Sequence, residues 1–156
     1  MALDFTVQVV RGGEVATIAF RDLLRRRTIV SVHMKNNTPS CDRQVASLAA
    51  QAGEFARLGY DIVALSRDTA GSHGRYEAAK GIPFTLVSDP KDLFAAAANS
   101  LVEKSMYGRK YVGPARAVFV LASDGTVLAR AEKVDTADHA AQVRELLRGL
   151  GAPTGE

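Results

Sequence analysis

Two short runs rich in β-branched and apolar residues, Thr28 to His33 and Tyr60 to Ser66, enclose a segment whose apolar side chains recur at helical spacing. Between them Val45, Leu48, Ala49, Ala52, Phe55 and Leu58 share one helical face. Thr38 suits the N-cap, Pro39 the first helical position and Gly59 the stop. Strand, helix and strand in this order predict neighbouring parallel strands joined by a right-handed crossover, with the helix packed on the sheet.

The rest of the chain extends that unit. Thr69 to Lys80 reads as a second helix ended by Gly81, Phe84 to Val87 as a strand, and Leu93 to Ala98 as a third helix. Ahead of the unit, residues 3–10 and 14–20 alternate apolar and polar around Gly12-Gly13, which predicts a hairpin. Behind it, residues 103–115 are polar and glycine-bearing and read as a loop. Ala117 to Leu121 and Thr126 to Arg130 flank an Asp124-Gly125 turn, a helix opens at Asp135 or Thr136 and runs to about Leu150, and Gly151 to Glu156 should fray. The expected class is α/β: a thioredoxin-like fold with an N-terminal β-hairpin and a mixed central sheet flanked by helices.

At 156 residues the chain is expected to form a single domain over 1–156. No apolar run approaches the roughly 20 residues of a membrane span, and the N-terminus has no basic region leading into an apolar stretch, so a cytoplasmic protein without membrane contact is expected. The formal net charge is only +3, much of it in Arg25-Arg26-Arg27. No aromatic interleaving accompanies that run, so no nucleic-acid partner is expected.

One cysteine, Cys41, excludes an internal disulfide and any multi-cysteine zinc site. With Thr38 as N-cap it falls at the third helical position, among unpaired N–H groups at the positive end of the helix dipole, where an anionic sulfur is favoured. It also extends the apolar stripe of Val45 and Leu48, so position alone fits a core residue as well as a nucleophile.

The surroundings of Cys41 separate these readings. His33-Met34-Lys35-Asn36-Asn37-Thr38-Pro39-Ser40-Cys41 resembles the peroxidatic loop of Q-type peroxiredoxins, the bacterioferritin comigratory group, in which Thr-Pro-Gly-Cys follows an aromatic residue, a proline and three more residues. Similar blocks follow in family order: Asp61 to Asp68 with Ser72-His73, Gly81 to Pro90, and Met106 to Gly113 ahead of Arg116. The resemblance implies a thiol-dependent peroxidase. Cys41 would attack the peroxide and become sulfenic acid, Thr38 would hydrogen-bond peroxide and thiolate, and Arg116 would stabilise both.

It also implies a substrate, hydrogen peroxide or an alkyl hydroperoxide, with no cofactor and no metal. His33, His73 and His139 have no metal-ligand spacing. Two departures stand out: Met34 replaces the loop proline, and Ala46 occupies the place five residues on where many relatives carry a resolving cysteine. Reduction would then need an external thiol, whether thioredoxin, glutaredoxin or glutathione. A monomer or weak homodimer is expected. The competing reading is a catalytically impaired redox sensor or interaction module.

Cys-x-x-Cys chemistry is excluded by Gln44 and Thr38, and a Cys-x5-Arg phosphatase loop by Ser47. His33 stands where relatives carry an aromatic residue, either pairing with the thiolate or merely packing.

Overall fold

The structure is a computed structural model; residues 3–150 are described, Met106 through its backbone alone. The segment expected to fray, 151–156, lies outside the described residues.

Strand β1 (Thr6–Arg11) pairs with β2 (Glu14–Ala19) around Gly12-Gly13, as the alternation required. Then come β3 (Thr28–Val32), α1 (Pro39–Ala50), α2 (Ala52–Arg57), β4 (Asp61–Ser66), α3 (Ala70–Lys80), β5 (Thr85–Ser88) and α4 (Leu93–Ala97). The chain continues through β6 (Leu101–Met106), β7 (Arg109–Pro114), β8 (Ala117–Leu121), β9 (Val127–Ala131) and α5 (His139–Arg148).

Seven strands form one sheet in the order β2-β1-β5-β4-β3-β8-β9. Its centre, β5-β4-β3, is parallel, and β1 and β8 flank it antiparallel. Both faces are covered, so side chains of the central strands alternate between two cores. Ile29, Ile62, Ala64, Leu86, Val118 and Val120 point to one, with Val45, Leu48, Phe55 and Val143 of the helices. Val30, Val32, Val63, Leu65, Val87 and Phe119 point to the other, where Phe20, Phe94 and Phe119 stack at centroid distances of 5.2 Å.

Three expectations change. The long helix breaks at Gln51 (φ −113°, ψ 11°), where a tight turn bonds back to Leu48; the break re-phases the stripe, burying Phe55 while leaving Leu58 half exposed. The expected loop at 103–115 is mostly a second, separate hairpin, β6–β7, turning at Tyr107 and Gly108 with φ of 51° and 75°. Exposed residues run along β7, so no alternation of burial marks it in the sequence. Finally, α5 starts at His139 because Asp138 caps it, accepting from the Ala141 N–H at 3.1 Å.

The arginine run is structural. Arg26 bonds Asp61 at 2.9 Å, and Arg27 is buried, donating to the Tyr60 hydroxyl at 3.1 Å; Arg25 alone of the three is exposed. No described helix is long and apolar enough to cross a membrane.

Candidate active site

The C-terminal ends of β3 and β4 lie side by side because those strands are parallel neighbours, and the loops leaving them meet. His33 continues the β3 ladder, its N–H bonding Leu65 O at 3.0 Å. The chain then turns through Asn37 in the left-handed region (φ 64°) and enters α1 at Thr38. The first helical hydrogen bond, Asp42 N–H to Thr38 O at 2.8 Å, confirms that Pro39, Ser40 and Cys41 occupy the first turn.

Cys41 is fully buried. Its Sγ accepts from the Met34 backbone N–H and from Arg116 Nη2, each at 3.3 Å. Arg116 arrives from the other side of β3: it precedes Ala117, which pairs with Val32, so the antiparallel β3–β8 register sets the guanidinium beside the loop. Its other arm, Nη1, is buried with no hydrogen-bond partner. Two donors and a helix N-terminus thus converge on the sulfur, an environment that stabilises negative charge there.

Thr38 has the backbone geometry of an N-cap, but its hydroxyl donates to Lys35 O at 2.8 Å and makes no capping bond. The expected bond to the thiolate is not what holds its proton. His33 does not pair with the sulfur either: its Nε2 lies 2.8 Å from Asn36 Oδ1. That oxygen only accepts, so Nε2 carries the hydrogen, and Nδ1 is left buried and unpartnered. Burial, against the Asn36 bond, pushes the His33 pKa down to about 4, so the ring is neutral at ordinary pH.

The Asn36 amide continues the chain, donating to His73 Nδ1 at 3.0 Å, so His73 Nε2–H is free to donate to Val87 O at 3.0 Å. Asp68 closes the network, accepting from the Asn36 N–H at 2.9 Å and the Ser66 hydroxyl at 2.6 Å. Burial alone would raise its pKa; these bonds outweigh it and hold the carboxyl below its usual range.

A second buried set anchors α1 itself. Gln44, one turn past Cys41, donates to Ser31 Oγ at 2.8 Å and Val32 O at 3.1 Å, and Ser31 meets His139 Nε2 at 2.9 Å. On the opposite side, Lys104 of β6 reaches over the loop and donates to Met34 Sδ at 3.2 Å. Burial, with Arg67 and Arg116 nearby, lowers the Lys104 pKa, although Asp92 acts in the other direction.

The structure therefore brings Cys41 and Arg116 into contact and places Thr38 in the same loop. Asn36, His73, Asp68, Gln44 and Lys104 were not assigned roles from sequence. Asn36 and His73 had a usable signal, because parallel β3 and β4 must bring the two loop starts together. Lys104 had none once its segment was read as a loop. Ala46 is exposed in a groove with Asp42, Tyr76 and Lys80, and among the described residues no cluster could hold a metal ion.

Residues 1–130 match the model of the AhpC/TSA family. The chain is 33% identical over 120 residues to a peroxiredoxin Bcp of Xanthomonas campestris, covering 77% of this chain and 75% of that protein. It is 24% identical over 140 residues to a peroxiredoxin Bcp of Bacillus subtilis, covering 90% and 89%. Among solved structures, the bacterioferritin comigratory protein of Xanthomonas campestris, described for its alkyl peroxide reduction activity, superposes with a TM-score of 0.84 at 28% identity, covering 95% of this chain and 92% of that one.

Proposed function

The chain belongs to the AhpC/TSA family, on its bacterioferritin comigratory, Q-type branch, and is a thiol-dependent peroxidase; from that membership we propose a one-cysteine cycle run by Cys41, Arg116 and Thr38. The Cys41 thiolate attacks the hydroxyl oxygen of a hydroperoxide, an S–O bond forms as the O–O bond breaks, the departing alkoxide or hydroxide takes up the proton released when the thiol ionised and leaves as alcohol or water, and Cys41 becomes sulfenic acid. Arg116 holds the thiolate through Nη2 and donates to the peroxide oxygens through Nη1. Thr38, with its proton committed to Lys35 O, offers lone pairs and accepts from the hydroperoxide O–H.

The observation that carries this reading is the Arg116 guanidinium, one arm on Cys41 Sγ and the other buried beside it without a partner. Such a donor is costly to bury unless an acceptor visits it, and a peroxide oxygen is an acceptor. Hydrogen peroxide and alkyl hydroperoxides are the substrates we assign. An external thiol of the cytoplasmic pool, delivered as glutathione or by thioredoxin or glutaredoxin, reduces the sulfenic acid, since Cys41 has no cysteine partner in the sequence. A monomer or weak homodimer suffices for this cycle.

Stopped-flow mixing of reduced protein with hydrogen peroxide or cumene hydroperoxide tests it. Sulfenic acid should form orders of magnitude faster than on free cysteine, vanish in Cys41→Ser, and slow by about a hundredfold or more in Arg116→Met, the usual cost of one lost donor to developing charge. A wild-type rate no faster than free cysteine's refutes the assignment.

A further inference from the structure

Lys104 is a cation with no counter-ion among the described residues. Among the described residues no carboxylate forms an ion pair with it, and the acidic group acting on it, Asp92, is taken by a bidentate pair with Arg67, whose Nε lies 2.8 Å from Asp92 Oδ1. The partner Lys104 does have is a thioether, a weak and neutral acceptor. Its stem is well placed to stay there: it crosses β7 over Gly113, where a Cβ would meet Lys104 Cδ at 3.5 Å. The ammonium is thus directed to Met34, whose own N–H sits on Cys41 Sγ, and its field adds to that of Arg116.

We infer that Lys104 binds a carboxylate on the thiol that reduces oxidised Cys41, so the reductant class is a low-molecular-weight anionic thiol. The inference rests on the one-cysteine cycle above and deepens it. A carboxylate is a far stronger acceptor for an ammonium than a thioether, so an arriving carboxylate takes Lys104 from Met34 and loosens the cover over a sulfur that is fully buried at rest. The thiol then attacks Cys41 sulfur: the sulfenic S–O bond breaks, water leaves, and a mixed disulfide forms. A second thiol attacks the outer sulfur, releasing the small disulfide and the Cys41 thiolate, so two thiols return the two electrons taken by the peroxide.

The test starts from protein whose Cys41 has been converted to a pyridyl mixed disulfide with dithiodipyridine, which needs no peroxide step. Release of pyridinethione by mercaptopropionate, mercaptoethanol and mercaptoethylamine is compared, each rate divided by its thiolate concentration and by the same thiol's rate on a small free pyridyl disulfide, which removes the intrinsic nucleophilicity that rises with thiol pKa. The carboxylate thiol should be fastest and the ammonium thiol slowest, with a spread of about tenfold at low salt that collapses near about 1 M salt as the charges are screened. Lys104→Gln should reduce the spread to under about twofold, and Lys104→Arg should keep it. Equal rates on the wild-type protein, or an undiminished spread in Lys104→Gln, overturn the inference. A clear spread in protein that fails the peroxide assay leaves this site standing and removes the cycle instead.

Discussion

The two sides of Cys41 are held in different ways. On the sheet side, the loop from His33 to Thr38 is tied by Asn36 into a chain that runs through His33, His73, Asp68 and Ser66 to Val87, most of it buried. On the other side, β6–β7 pairs only with itself and reaches the loop by the Lys104–Met34 contact. A network of this kind fixes one geometry, because displacing any member strands its partners in a low-dielectric interior. A lone ammonium–thioether contact can be exchanged at little cost. The sulfur is therefore gripped from the sheet and covered from the hairpin, and with a flexible methionine at position 34 the hydrogen-bonded network supplies the stiffness of the loop.

The sharpest way to break the gripping side is acid. His33 is neutral with a pKa of about 4 in the fold against about 6.5 unfolded, so the unfolded chain takes up a proton that the folded one refuses. Stability is then full above about pH 6.5 and falls as the pH drops toward 4, by roughly 3 kcal/mol from this residue. His73 and His139, also lowered chiefly by burial, add loss of the same sign. Urea titrations across that pH range should show it, and His33→Phe should flatten the profile; an unchanged profile would mean that His33 does not stay neutral in the fold.

A smaller effect is expected from Asn36→Ala. It strands the His33 Nε2–H and His73 Nδ1, and at about 1–3 kcal/mol per unsatisfied buried group a loss of about 2 kcal/mol should appear in denaturant midpoints. Peroxide reactivity should fall with it, since the loop also carries the Met34 N–H. The smallest effect belongs to the covering side: Lys104→Leu should move global stability by less than about 0.5 kcal/mol. Backbone amides of β6–β7 should exchange by local opening far faster than those of β3, and equal protection would erase the contrast.

The same contrast explains what could be read from the sequence. Strands such as Thr28–Val32 and Ala117–Leu121 announced themselves because burial on both faces demands unbroken apolar, β-branched runs. Thr38-Pro39-Ser40-Cys41 announced a helix start through cap and proline chemistry. The β6–β7 hairpin stayed hidden because its stability comes from its own ladder and from a Tyr107-Gly108 turn that lacks the usual Asn-Gly signal. Arg116 was legible only through the family pattern; its contact with Cys41 depends on antiparallel register, which pairs residues far apart in the chain. The break at Gln51 left no periodic trace, since Phe55 and Leu58 fit one stripe on paper and part only when the turn tightens.

The exposed Ala46, with no second cysteine in the sequence, has a consequence on the scale of the cell. A protein that closes its own disulfide resets at a rate fixed by its own motion. In the proposed cycle each oxidised molecule instead waits in a queue whose length depends on how much free thiol surrounds it. The share of molecules held as sulfenic acid at any moment then follows the ratio of incoming peroxide to available thiol, and falls steeply once the thiol pool recovers. In that cycle the alanine at position 46 of α1 would make the protein a gauge of the balance between oxidant supply and reducing capacity as well as a consumer of peroxide.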